Sequence, residues 1–310
     1  MNPIRIAIIG AGAHAAGQHL PALLDHERRH PGSVTVAAVC DRDTARAAAL
    51  AAPWGAAVHD DWRACLDQVR PDAVHVCLPP ALTPRVALAA ATAGAAVWVE
   101  KPLAATLAEA EELVAGLATA RAMASMNRRF EPAMARLCAL TAGRRPRRLH
   151  AVMARGDRRE ADFITTTGVH VVDLAVSLVG GPDGPPVLRT TSCDGAAWAQ
   201  ITWTTPEGCT ATVEICPTLG INQEAVEIAG DGWWCLARSA WFDAGLVEWQ
   251  EKSQPLRRET IDLTLPEWVR NGTAAETDAF LASCRGERPW SPIPAEILVA
   301  TRLCHTKPVA

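Results

Sequence analysis

The first 126 residues alternate short, mainly apolar runs with longer alanine-rich stretches. The apolar runs occupy residues 4–9, 34–40, 73–78, 96–99 and 122–126. A strand that is apolar at every position, not at every second one, has both faces covered, as in a parallel sheet flanked by helices. The stretches between them read as helices. Residues 44–52 follow Asp43 as a cap, and Thr106 with Glu109 three positions on makes a capping box. Strand, helix, strand in repetition predicts an α/β domain over residues 1–126 with a doubly wound parallel sheet.

Beyond Met126 the pattern changes. A helix at residues 132–140 gives way to a strand at 148–155, then to a helix at 165–179 with Gly180 just past its end. A hairpin follows, residues 198–203 and 209–216 around the turn Thr205-Pro206-Glu207-Gly208, and strands at 225–229 and 233–238 are split by Gly230-Asp231-Gly232. Helices at residues 274–283 and 295–305 come last. Strands joined by tight turns predict an α+β domain over residues 127–310 with a large, mostly antiparallel open sheet. The last helix is expected to pack back on the first domain.

Composition narrows the function classes. A net charge of −4 over 310 residues offers no basic field for nucleic acid. The one concentrated run of arginine, residues 144–148, lies beside Gly143 and contains Pro146, so it reads as a solvated loop. The ten cysteines are scattered singly without metal-site spacing, so no metal is expected and the thiols read as reduced. The longest near-apolar run, residues 86–99, falls short of the ~20 residues that span a bilayer, and the N-terminus lacks a secretory pattern. A cytoplasmic protein without a membrane partner is expected. Eight of the eleven tryptophans lie from Trp198 onward; Trp198 and Trp203, five apart on one strand, should face opposite sides of the sheet.

Candidate chemistry begins where the first strand ends, at Gly10-Ala11-Gly12-Ala13-His14-Ala15. Gly10 permits a tight turn, Gly12 lets the backbone approach a diphosphate, and the helix that follows offers its N–H groups and positive dipole end to the anion. Asp41 at the end of the second strand can accept the hydroxyls of an adenosine ribose. Together these predict a Rossmann domain that binds NAD(H) or NADP(H). NAD(H) is favoured because Asp41 would repel a 2′-phosphate, while Arg42 beside it works the other way. His14 and His19 read as helix-surface residues, and His59 and His75 have no suggestive sequence neighbours. Lys101, held between a strand end and Pro102, is one of only three lysines against 27 arginines. At a C-terminal strand end it can polarise a substrate hydroxyl or carbonyl.

The chain resembles the Gfo/Idh/MocA oxidoreductase family. The likeness rests on the glycine loop running into His19-Leu20-Pro21-Ala22-Leu23, on residues 72–80 ending in Leu78-Pro79-Pro80, and on Ala93-Gly94. Glu100-Lys101-Pro102, Asn127-Arg128-Arg129-Phe130, Gly168-x-His170-x-x-Asp173 and Glu276-x-x-x-Phe280 complete it. The resemblance implies hydride transfer between a nicotinamide and a carbinol or carbonyl carbon of a sugar, cyclitol or related polyol. It implies that Gly10, Gly12, Ala13, His14, Asp41, Arg42, Leu78, Pro79, Thr83, Glu100, Lys101 and Asn127 contact the cofactor. It further implies that Lys101, Arg129, Thr166, His170 and Asp173 meet the substrate, with His170 as acid/base and Lys101 and Asp173 as its catalytic companions. A homodimer or homotetramer, paired through the open face of the C-terminal sheet, is implied as well.

Three departures from the family pattern bear on the chemical step. Thr166 stands where an aspartate is usual four residues before the histidine, Thr83 stands where a histidine is common, and the chain contains no tyrosine. Asp173, at i+3 from His170 on one helix face, is then expected to supply the missing carboxylate, ahead of Asp162. Two alternative readings remain. One is a redox-neutral enzyme with a tightly held nicotinamide; the other is a non-catalytic, cofactor-bound sensor or partner protein.

Overall fold

A computed structural model describes residues 2–193, 195–242 and 244–309. The chain divides into two compact units, Met1–Met126 with Thr273–Leu298, and Asn127–Gly272 with Val299–Ala310.

The first unit holds six strands: β1 (Ile4–Ile9), β2 (Val34–Cys40), β3 (Ala57–His59), β4 (Ala73–Val76), β5 (Ala96–Val99) and β6 (Ala122–Ala124). All neighbours are parallel, in the spatial order β3-β2-β1-β4-β5-β6. Between them run α1 (Leu20–Arg29), α2 (Thr44–Ala51), α3 (Trp62–Val69), α4 (Thr83–Thr92) and α5 (Leu107–Gly116). β4 and β5 are buried at every position; β5 is accordingly apolar throughout, while β4 carries one polar residue, His75. Asp43 caps α2 by accepting from the Arg46 amide, and the Thr106/Glu109 capping box closes in both directions. The strand order reverses between β1 and β4, the switch point at which an open α/β sheet leaves a ligand crevice.

The second unit is built on eight strands: β7 (Pro146–Ala154), β8 (Val187–Cys193), β9 (Ala196–Thr204), β10 (Thr210–Cys216), β11 (Gln223–Gly230), β12 (Trp233–Arg238), β13 (Leu246–Glu251) and β14 (Arg257–Thr260). Their order is β14-β13-β12-β11-β7-β10-β9-β8, antiparallel throughout except for the pair β7–β10. Its helices are α6 (Pro132–Thr141), α7 (Val169–Val179) and α8 (Glu267–Arg270); α9 (Thr273–Cys284) and α10 (Pro294–Cys304) follow in the chain. Along β9 the odd residues 199, 201 and 203 are buried while Trp198 and Gln200 are half-exposed, so the two tryptophans do face opposite ways. The arginine run at 144–148 is exposed, as expected, but is loop only at Arg144 and Arg145. It leads into β7, where Arg147 and Arg148 pair with Asp231 and Glu227, and Arg144 pairs with Glu251.

The sequence pattern gives all of residues 127–310 to the second domain, but Thr273–Leu298 groups with the first unit. The cause is burial. On α9, Phe280 is fully buried with its ring stacked 4.9 Å from Trp98 of β5, and Asp278 receives His26 and Arg29 of α1. No helix among the described residues is long and apolar enough to cross a membrane.

Candidate functional site

The glycine loop sits at the switch point. Gly10 has φ +103°, and a Cβ there would lie 2.1 Å from the Cys77 carbonyl oxygen, so only glycine lets β1 turn beside β4. Gly12 has no protein atom within 4 Å of its missing Cβ; the space before it is open. Ala13 and His14 begin the following helix, whose Ala15–His19 segment is wound as a π turn, one extra residue in the coil. The Asp41 carboxylate accepts the Ala11 amide at 2.8 Å and the Asp43 amide at 2.9 Å, fastening the end of β2 to the loop. Gly10, Gly12, Asp41, Arg42, Leu78 and Pro79 all border one cavity of about 500 Å³. An open glycine, a helix N-terminus and an acidic side chain around a cavity of this size suit the diphosphate and adenosine ribose of a dinucleotide.

Two of the implied cofactor contacts are turned inward. Thr83 is fully buried and its hydroxyl donates to the Leu78 and Pro79 carbonyls, so it braces that turn. Glu100 is 7% exposed and is engaged by side chains that the sequence reading passed over. His19 Nε2 lies 2.6 Å from its carboxylate, His14 Nε2 3.6 Å and His75 Nε2 3.7 Å, and the Lys101 amide donates to it at 3.2 Å. His19, expected on a helix surface, is fully buried, and so is His75, stacked on Trp98 at 4.2 Å. A signal for His75 was there: a histidine inside a strand buried on both faces needs a polar partner.

Burial, followed by the proximity of His75, pushes the His19 imidazole down to about 4 against the pull of Glu100. Burial alone would raise the Glu100 carboxyl. His19 and His75 outweigh it and hold the group well below the usual carboxylate range. At neutral pH a neutral His19 therefore donates its Nε2–H to a buried anion. His19, His75, Cys77 and Glu100 bring their ligand atoms within 4.8 Å of one another, the composition of a metal site. The geometry favours a proton over an ion. A 2.6 Å N–O separation is shorter than the roughly 3.3 Å between two ligands of a tetrahedral zinc.

In the second unit, α7 carries His170 and Asp173 one turn apart, both buried. Gly168 opens this segment because a Cβ there would lie 2.6 Å from the Ile215 side chain of β10. Asp173 is fully buried, and both its oxygens are gripped by Arg129, Nε at 2.8 Å and Nη2 at 2.7 Å. Arg129 and Asp173 therefore form a bidentate pair inside the second unit. The expectation that this carboxylate acts on His170 is modified, because its charge is balanced by a guanidinium. Thr166 sits in a π turn, Ile164–Gly168, and its hydroxyl donates to the Asp162 carbonyl at 2.9 Å. Asn127 is nearly buried, with its side-chain oxygen accepting from Arg128. Sequence reasoning also missed a buried ionic knot: Arg128 and Arg155 both grip Glu224, and their guanidinium groups lie over Trp241 and Phe242.

These residues match a known pattern. The sequence profile of the Gfo/Idh/MocA oxidoreductase family, NAD-binding Rossmann fold, matches residues 4–128. A dTDP-3,4-didehydro-2,6-dideoxy-alpha-D-glucose 3-reductase of Streptomyces antibioticus is 42% identical over 123 residues, 40% of this chain and 36% of the reductase. Inositol 2-dehydrogenase 2 of Paenarthrobacter aurescens is 33% identical over 197 residues, 58% of this chain and 57% of the dehydrogenase. The chain thus spans between about a third and somewhat over half of these relatives. Among solved structures, a dehydrogenase from Chromobacterium violaceum has a TM-score of 0.87 at 20% identity, over 98% of this chain and 94% of that one. At that identity the likeness speaks to the fold: the parallel six-stranded sheet and the eight-stranded, mostly antiparallel one.

Proposed function

We propose that the protein is an NAD(P)-dependent oxidoreductase acting on a CH–OH or carbonyl carbon of a sugar, cyclitol or related polyol. The observation that carries this is the Gly10–Gly12 loop tied through the Ala11 amide to Asp41 around an open cavity. The family relatives named for deoxyglucose reduction and inositol oxidation support the substrate class. A bound nicotinamide would supply the hydride chemistry; the side chains supply position, charge and proton.

In this reading Lys101 steadies the developing oxyanion at the reacting carbon, and His170 takes or gives the hydroxyl proton. Asp173 is a positioning residue: clamped by Arg129, it fixes the α7 face that presents His170. NAD(H) is preferred over NADP(H), since the Asp41 carboxylate opposes a 2′-phosphate, although Arg42 and Arg46 border the same cavity. The subunit is expected to form at least a dimer through the open sheet face that carries Trp198, and light scattering at the monomer mass would contradict this.

The decisive experiment pairs binding with turnover. Titration with NADH and NADPH should give micromolar or better affinity for one of them, and a sugar and polyol panel should yield oxidation with external NAD(P). Lys101→Ala should abolish turnover while leaving cofactor affinity within about threefold. His170→Ala should cost at least as much as Asp173→Asn, which should lower kcat about 10²-fold and move the acidic limb of the pH–rate profile. Cofactor binding without turnover of any substrate would favour a sensor, and conversion without net reduction would favour a redox-neutral enzyme.

A further inference from the structure

The cavity beside Asp41 has a second wall with no part in the reading so far. Trp62 is the first residue of α3, fixed there by the Asp61 cap, which accepts the Arg63 amide at 2.8 Å. It is the one aromatic side chain among the cavity's lining residues, and it is half-exposed rather than packed away. The Arg63 guanidinium lies 4.2 Å from the Trp62 ring centre. Across the cavity, Arg85 in the first turn of α4 points its guanidinium at the same ring from 6.0 Å. Arg85 is exposed and forms no ion pair among the described residues.

A flat, polarisable group between an indole and a guanidinium needs about two stacking distances, roughly 7 Å in all. The Arg85–Trp62 separation of 6.0 Å falls just short of that. A long, unpaired arginine can give the remaining ångström. Indole and guanidinium planes are also the two protein surfaces on which nucleobases stack. The position agrees: Asp41, which would hold the ribose, lines the same cavity on the β2 side of the switch point.

We propose that Trp62 and Arg85 form a clamp that stacks the purine base of the bound dinucleotide. This rests on the dinucleotide reading above and adds a binding role for two residues outside the glycine loop. The clamp grips the adenosine half alone, so its loss weakens every ligand that carries the base and spares the nicotinamide half.

Calorimetric titration of the full chain with NADH, ADP-ribose and nicotinamide mononucleotide tests it. Trp62→Ala should raise Kd for NADH and ADP-ribose about tenfold or more, the size of one base–aromatic stack, and leave the mononucleotide unchanged. Arg85→Ala should act in the same direction with a smaller change. Trp62→Phe keeps a ring and should stay within about threefold, but it should lose the quenching of tryptophan emission that ADP-ribose causes in the wild type. Wild-type binding with unchanged ADP-ribose affinity in Trp62→Ala, or quenching that persists in Trp62→Phe, overturns the clamp alone. A wild type that binds neither NADH nor ADP-ribose overturns the dinucleotide reading and the clamp together.

Discussion

Each unit of this protein buries glutamates away from water, and the two solve the problem in opposite ways. In the first, Glu100 lies among imidazoles whose basicity burial lowers, and neutral His19 donates its Nε2–H to it. In the second, Glu224 is paired with two guanidinium groups, while its neighbour Glu131 receives only backbone amides, Ala240 at 2.6 Å and Met134 at 2.9 Å. Burial, with the charge of Glu224 added, pushes Glu131 up to about 7 despite those amides. Burial also opposes ionisation of Glu224, but Arg128 and Arg155 hold it below the usual range. Burial depth alone therefore does not set the state of a carboxylate. The number and charge of its donors do.

The largest effect expected is on the ionic knot. Glu224→Gln leaves two buried guanidinium groups facing a neutral amide, and should cost about 3–5 kcal/mol in urea unfolding followed by circular dichroism. A loss under about 1 kcal/mol would mean that the arginines find other partners, and the contrast between the units would collapse.

Next in size are two pH dependences of opposite sign. His19 has a folded-state value lowered from 6.5 to about 4. The unfolded chain then binds more protons across that window, and the first unit should lose stability, up to about 3 kcal/mol, as pH falls from 6.5 to 4. Glu131 is raised from 4.5 to about 7. Its contribution is full below 4.5 and is lost as pH rises through 7, so the second unit should weaken in the other direction by a similar amount. Hydrogen exchange at the amides of β5 and of β11 reads the two units separately. Glu131→Gln should flatten the β11 profile only. Parallel profiles at the two strands would rule out the assignment.

The smallest effect sharpens the role of exposure. Asp278 has charged partners like the buried glutamates, His26 at 2.6 Å and Arg29 at 2.8 Å, but its side chain is 38% exposed. Asp278→Asn should cost about 1 kcal/mol or less, and added salt should shrink that further. A cost near that of Glu224→Gln would show that solvent screening is not what separates these pairs.

The parallel sheet was legible because strands covered on both faces are apolar nearly throughout, as β5 shows at every position and β1 and β2 show apart from Arg5 and Thr35. The strands that escaped are edge or near-edge ones. β3 is three residues long and mostly exposed, and β14, with the pattern Arg-Arg-Glu-Thr, has no apolar face. The glycine loop and Asp41 were legible because they act through backbone and local spacing. The Glu100 cluster was not, since His19 and Glu100 stand 81 positions apart and meet only through the sheet order. The π turn at Ala15–His19 adds to this, because an α-helical count misplaces the face on which His19 emerges. The Arg129–Asp173 pair was hidden for the same reason, since the two stand 44 residues apart.

The return of Thr273–Leu298 to the first unit bears on how the protein is made. Synthesis delivers the six parallel strands first, yet the surface that Phe280 covers on Trp98 stays bare until α9 leaves the ribosome, after the whole second sheet. Through that interval the nascent first unit exposes Trp98 and an unpaired His26, a natural target for a holding chaperone. A fragment ending at Met126 would remain in that state permanently. Grafting this unit onto another protein would therefore require α9 to be carried along as a second segment.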